Sequence, residues 1–496
     1  MVIVSTHKGQ IRGIQTPKCQ YFLGIPYAKP PKGVLRFQEP QSMDPWNGIK
    51  DTISFGPICF QNHKELDPIE QEENEDCLYL NIWTPATDDK ARPVMFYIHG
   101  GGFLIGAGSR PRLNGARLAS NGDVVVVTFN YRLGALGFLD LSDIPSNIGF
   151  QDQITALKWV QGNIYAFGGD PNNITIFGES SGSESVAILL SIPSTKGLFH
   201  RAIMQSGVAN PHSYQTELTR KGAEELFSKL HIEKGDLGAL QEVPMNKLIR
   251  NQKKIAGTIT DGKQNPFRPF VDGVIIPEKP YDLIRKGEYS KVPLILGWNE
   301  SELGIIATYI NQANEEGKKV MFEMMKRQIL NHGIKETDLE KLIQVYKPIM
   351  KEKHPESDFR HWDAILSDAM FGIPTIRQIE VHLKHQSNVY CYNFTYKSSK
   401  YGGAYHSFEI PFVFGTLKTA KLAEGAIDSF DQAEAVSKVM MDTWLSFART
   451  GNPNHERLPE WTPYNLNQRA TMMLGFKSKL ENNPNETFRK AWDGVI

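Results

Sequence analysis

The stretch Pro171 to Leu190, PNNITIFGESSGSESVAILL, constrains this chain more than any other. Ile174, Thr175, Ile176 and Phe177 make a short β-branched and aromatic run, which favours a buried strand. Gly178-Glu179-Ser180-Ser181-Gly182 follows and fits G-x-S-x-G. Val186, Ala187, Leu189 and Leu190 then give an apolar helical face. Strand, sharp turn and helix in that order make a nucleophile elbow. The serine at its tip adopts strained backbone angles, and small neighbours let strand and helix approach. Its hydroxyl is exposed over a helix N-terminus, where developing negative charge is stabilised. A Gly- and Ser-rich loop produces the pentapeptide by chance; the flanking strand and helix favour the catalytic reading.

A serine hydroxyl is a weak nucleophile. It needs a base, an acid to orient that base, and donors for the oxyanion. In chains built on such an elbow the order is Ser, acid, His. Upstream, an apolar run from Val94 enters His99-Gly100-Gly101-Gly102-Phe103. A glycine run after a buried strand leaves backbone N–H groups free and lets them approach a ligand closely. Downstream, His406 follows Gly402-Gly403-Ala404, on a loop after an expected strand Val389 to Phe394. Spacing alone leaves His406 level with other histidines, such as His382. The acid belongs at the end of the expected strand Pro293 to Trp298, where Glu300 and Glu302 are both available. Two glutamates there also suit the cap of a following helix.

The rest of the chain alternates. Expected strands are Met1 to Thr6, Gly9 to Ile14, Gln20 to Gly24, Leu78 to Trp83, Val94 to His99, Val124 to Phe129 and Ala202 to Gln205. Helical patterns lie at Leu113 to Asn121 and Phe150 to Ala166. They return through much of Glu217 to Lys254 and Gln312 to Arg377, and from Ala433 to Arg449. Pro269 to Pro277 reads as a loop or short strand. Buried strands alternating with helices imply an α/β fold with a largely parallel central sheet covered on both faces. No repeat, linker or composition break divides the 496 residues, so one large domain with helical insertions, 1–496, is expected.

Lys+Arg and Asp+Glu are equal at 55 each, so net charge gives no support to a nucleic-acid partner. No stretch approaches the ~20 apolar residues of a membrane span. The N-terminus reads as a strand and turn rather than a signal peptide. Four cysteines, Cys19, Cys59, Cys77 and Cys391, show neither zinc spacing nor a disulfide scaffold. A cytoplasmic location is the expectation. The polar, acidic run Phe60 to Asp76 is expected to be an exposed loop.

The run FGGDPNNITIFGESSG, Phe167 to Gly182, resembles the serine signature of the type-B carboxylesterase/cholinesterase family. HSFEIPFVFG from His406 resembles that family's catalytic-histidine segment. GIPYAKPP, EDCLYLNIW, FNYRLGALGF, PFVDG and FARTGNPN look like further landmarks, so the resemblance covers nearly the whole chain. It implies an α/β-hydrolase fold and a serine carboxylesterase that hydrolyses uncharged esters through an acyl-enzyme. Ser180 would be the nucleophile, His406 the base and Glu302 the acid. Gly101, Gly102 and Ser181 would supply the oxyanion donors, with Ser206 behind the acid. Phe103, Trp298 and Phe371 are candidates for an apolar pocket. Two departures stand out: Ser181 replaces the usual alanine, and Leu303 follows the acid where glycine is common. The resemblance also implies ion pairs Arg36–Glu75 and Arg132–Asp152, and matches Cys59 and Cys77 to a disulfide. No metal or organic cofactor is expected, and the only expected partner is a small ester; oligomeric state is left open. Non-catalytic adhesion proteins and interfacial lipases are the competing classes.

Overall fold

The protein is described by a computed structural model covering all residues except 62–68, 142–145, 211–213, 215, 257–264, 356 and 358. The strands are β1 (Val2–Thr6), β2 (Gly9–Gln15), β3 (Gln20–Pro26), β4 (Ile49–Asp51), β5 (Tyr79–Thr84), β6 (Arg92–Ile98) and β7 (Val125–Phe129). They continue as β8 (Gly169–Glu179), β9 (Arg201–Gln205), β10 (Leu294–Asn299), β11 (Val389–Phe394), β12 (Ala470–Leu474) and β13 (Lys479–Asn482). Their order is β1-β2-β3-β5-β7-β6-β8-β9-β10-β11-β12-β13, with β4 beside β2. From β7 to β12 every neighbouring pair is parallel; the outer pairs along this order are antiparallel, and β4 pairs β2 in parallel. This is the α/β-hydrolase fold, with a large, mostly parallel sheet flanked by helices.

The strands at the centre are apolar on both faces because both faces are covered. In β6, Val94, Phe96 and Ile98 join one buried cluster while Met95 and Tyr97 join another. That is the two-residue alternation of a strand sorting its side chains between two layers. Ile148–Asn163, Ser181–Ser191 and Ile373–His382 pack into the first cluster; Ala116–Gly122 and Phe430–Thr450 pack into the second.

The expected strands are all present, most with ends moved by a residue or two, and the elbow strand is longer. β4, β12 and β13 were not anticipated, and 269–277 forms no strand. Both expected ion pairs form. Arg36 Nε and Nη2 donate to the two Glu75 oxygens at 2.5 and 2.7 Å. Arg132 Nη2 donates to Asp152 Oδ1 at 2.7 Å, both side chains being buried. Cys59 and Cys77 are buried free thiols in contact. The Cys59 hydrogen bond, then burial, pushes the Cys77 thiol up. Part of the expected acidic loop Phe60 to Asp76, residues 62–68, lies outside the described residues.

Candidate active site

β8 delivers Glu179 and Ser180 to the C-terminal edge of the parallel strands, where ligands bind in open α/β sheets. Ser180 caps the helix Ser181–Ser191 with φ 56° and ψ −125°, a combination that is strained for a residue with a Cβ. Two backbone bonds hold it there: Ser180 N donates to Gln205 O, and Glu184 N donates to Ser180 O, each at 2.9 Å. The sheet neighbour β9 therefore fixes one side of the turn and the helix fixes the other.

The glycine run after β6 lies against this elbow. A Cβ on Gly100 would sit 3.1 Å from the Ser180 Cβ and 2.6 Å from the Glu179 carbonyl. Only a bare backbone approaches that closely. Gly101 and Gly102 follow with positive φ, and Ser181 stands at the first position of the helix, 6% exposed. The extra hydroxyl of Ser181 lies beside the Tyr131 phenol.

His406 Nδ1 is 2.7 Å from Glu302 Oε2. The His406 backbone N–H also donates to the Glu302 carbonyl at 2.9 Å, and Asn299 N donates to Glu302 Oε1 at 2.8 Å. Glu302 is 1% exposed, so its charge faces the imidazole and not water. Glu300 is exposed instead, its N–H paired with Phe394 O. His382 is packed on the helix Ile373–His382 against Gln378 and Tyr289, and burial holds it down at about 3. The structure thus pairs His406 with Glu302 and leaves Glu300 and His382 apart from that pair.

Sequence reasoning missed two buried acids. Glu179, 2% exposed, places Oε1 at 3.2 Å from His406 Nε2, and Ser407 Oγ donates to the same oxygen at 2.5 Å. Glu409 accepts from Gln205 Nε2 at 3.0 Å and from Asn299 Nδ2 at 2.7 Å. Gln205 is itself oriented by Trp444, whose Nε1 donates to Gln205 Oε1 at 3.0 Å. The available signal was a carboxylate closing an otherwise apolar strand, and another inside the apolar run after His406. Burial alone would lower His406; Glu179, Glu302 and Glu409 outweigh it and hold the imidazole up at about 9. Burial, then the neighbouring Glu179, pushes Glu409 up to about 7.

The remaining candidates divide. Ser206 is fully buried with φ 51°, and its hydroxyl makes no hydrogen bond among the described residues. Its backbone N–H donates to Gly297 O at 2.8 Å, on the strand that leads to the acid. Phe371 faces His406, ring centroids 4.8 Å apart, from a π-helical turn Asp368–Gly372. Trp298 is 7% exposed at the end of β10, near Gly372. Phe103 is 1% exposed and packs on Phe138 and Phe150 at 5.2 and 6.4 Å, an aromatic core contact.

A profile of the carboxylesterase family matches residues 1–492. The chain is 35% identical to the para-nitrobenzyl esterase of Bacillus subtilis, over 98% of both chains. It is 36% identical to liver carboxylesterase 1 of Oryctolagus cuniculus, over 90% of this chain and 84% of that protein. Among solved structures, a Geobacillus stearothermophilus carboxylesterase matches with a TM-score of 0.87, 36% identity and 99% coverage of both chains.

Proposed function

This chain belongs to the carboxylesterase family and is a carboxylic ester hydrolase; from that premise we propose that Ser180 is its nucleophile, His406 the base and Glu302 the orienting acid. The observation that carries the assignment is the 2.7 Å contact between His406 Nδ1 and Glu302 Oε2, on the loop that faces the strained elbow. A carboxylate on Nδ1 fixes the tautomer that leaves Nε2 able to take a proton.

Ser180 Oγ attacks the ester carbonyl while Nε2 takes its proton. Nε2 must first exchange its contact with Glu179 for the serine hydroxyl. The imidazolium so formed lies between Glu302 and Glu179, which stabilise it. The tetrahedral oxygen accepts from the N–H groups of Gly101, Gly102 and Ser181. The imidazolium returns its proton to the leaving alcohol, and water then cleaves the acyl-enzyme by the same route.

Residues 1–496 act as one unit in this reading, supported by a sheet that runs unbroken from β1 to β13. The substrate is an uncharged ester, supported by the aliphatic stretch Leu303-Gly304-Ile305-Ile306 after the acid. Among the described residues no helix is long and apolar enough to cross a membrane. A cytoplasmic setting is part of this reading, supported by the likeness to the bacterial para-nitrobenzyl esterase. Stopped-flow mixing with a para-nitrophenyl ester tests the chemistry. The expected result is a burst of alcohol equal to the enzyme sites, absent from Ser180→Ala. Full turnover by Ser180→Ala overturns the assignment.

A further inference from the structure

The oxyanion donors are backbone N–H groups, and their aim depends on what holds the opposite carbonyls. In a trans peptide the C=O and N–H point in opposite directions, and no peptide bond among the described residues is cis. The Gly102 N–H shares its peptide with the Gly101 carbonyl, which accepts from Leu104 N and Ile105 N at 3.1 Å each. That peptide is fixed by backbone alone. The Gly101 N–H shares its peptide with the Gly100 carbonyl, and here the partner is a side chain: His99 Nδ1, at 2.9 Å.

A carbonyl only accepts, so the proton of this contact sits on Nδ1. His99 is 2% exposed, and burial holds it at about 3, which keeps the ring neutral and its tautomer single. The ring stacks on Tyr131 with centroids 4.4 Å apart and planes 18° apart. The Tyr131 hydroxyl donates to the His99 carbonyl at 2.9 Å. The niche is shaped for this bond. A Cβ on Gly106 would lie 2.4 Å from His99 Nδ1 and 2.5 Å from Gly100 O. Gln61 pins Gly106 in place, accepting from its N–H at 2.7 Å and donating to its carbonyl at 3.1 Å.

The geometry points to His99 as a positioning residue that aims the Gly101 N–H at the oxyanion, with Tyr131 as the clamp on its ring. This rests on the reading of Gly101 as an oxyanion donor. His99 touches no reacting atom. It acts through the Gly100–Gly101 peptide, and its effect is confined to the step in which negative charge forms.

The test uses His99→Phe, which keeps a stacking ring and removes the donor, and His99→Asn, whose amide restores a donor near the position of Nδ1. The readouts are kcat and KM on a neutral ester, affinity for a trifluoromethyl ketone that forms a hemiketal oxyanion on the serine, and Tm. His99→Phe is expected to lose about 10–100-fold in kcat, less than the ~10²–10³ that follows loss of a whole donor. KM stays nearly unchanged, and ketone affinity falls by a similar factor. His99→Asn recovers most of both. If His99→Phe fails to fold, Tyr131→Phe carries the test, with a smaller fall in kcat and ketone affinity at unchanged KM. Parent-like kcat and ketone affinity in the Phe variants overturns the proposal, as does a loss that tracks Tm and is not rescued by asparagine. Failure of the parent to bind the ketone through Ser180 overturns the active-site reading as well. Ketone bound to Ser180 in the parent, with variants that behave as the parent, overturns only the role of His99.

Discussion

His406 Nε2 lies 3.2 Å from Glu179 Oε1, so the atom proposed to take the serine proton is already against a carboxylate. With Glu302 on Nδ1 and Glu409 nearby, the imidazole is held up at about 9 from an ordinary 6.5. A histidine raised in this way accepts a proton only above its pKa. We expect kcat/KM to climb with pH through the neutral range and level off above about 9. Glu179→Gln removes the largest charge acting on the ring and moves the climb to lower pH by about 1–2 units. The same shift stabilises the fold fully below 6.5, and that contribution is lost as pH rises through about 9. A pH–rate profile of parent and variant that superimpose contradicts this coupling.

Glu302→Gln is expected to lower kcat by about 10³–10⁴, because a glutamine does not supply the charge that fixes the tautomer and stabilises the imidazolium. Glu300→Gln, at an exposed side chain, stays close to the parent. Steady-state kinetics on one neutral ester distinguishes the two, and equal losses contradict the assignment.

Asp152→Asn leaves Arg132 as a buried charge without its partner, the two side chains being 3% and 0% exposed. Breaking such a pair costs about 3–5 kcal/mol. Urea unfolding is expected to show a loss of that order, with any surviving folded enzyme retaining its pH profile. A loss below about 1 kcal/mol would place the pair among surface bridges.

Much of this site is legible in the sequence because its rules are local. An elbow needs strand, small residues and helix in order, and Ile174 to Leu190 supplies them within one stretch. The glycines after Ile98 and those before His406 carry their own backbone requirement. What is not legible depends on contacts between distant segments. Glu179 meets His406 across 227 positions and Glu409 meets Gln205 across 204. Neither the G-x-S-x-G pattern nor the run HSFEIPF states that these acids face one another. β12 and β13 escaped for the same reason: Ala470–Leu474 is short, and its place beside β11 comes from pairing rather than pattern. Phe103 follows a glycine run at a site edge, but its positive φ turns it into Phe138 and Phe150.

Choline esters are expected to be poor substrates. A quaternary ammonium is gripped over aromatic faces, each contact giving about 0.5–2 kcal/mol. In the cholinesterases such aromatics include a tryptophan in the loop before the EDCLYLN segment and residues just after the catalytic acid; here the run Phe60 to Asp76 contains no tryptophan, and Leu303, Ile305 and Ile306 are aliphatic. Comparing kcat/KM for butyrylthiocholine with a neutral butyrate thioester should favour the neutral ester by about tenfold or more, given two missing contacts. Preference for the choline ester contradicts this account of the binding site.

Ser180 is assigned as the nucleophile at the tip of the strained elbow, and mapping its covalent adduct tests that directly. The protein is treated with a reactive organophosphate, digested, and the phosphorylated peptide sequenced by mass spectrometry. One phosphoryl group per chain is expected, on Ser180, with activity lost in proportion to labelling. A label on Ser181 or Ser206 with Ser180 free, or full labelling with activity intact, contradicts it.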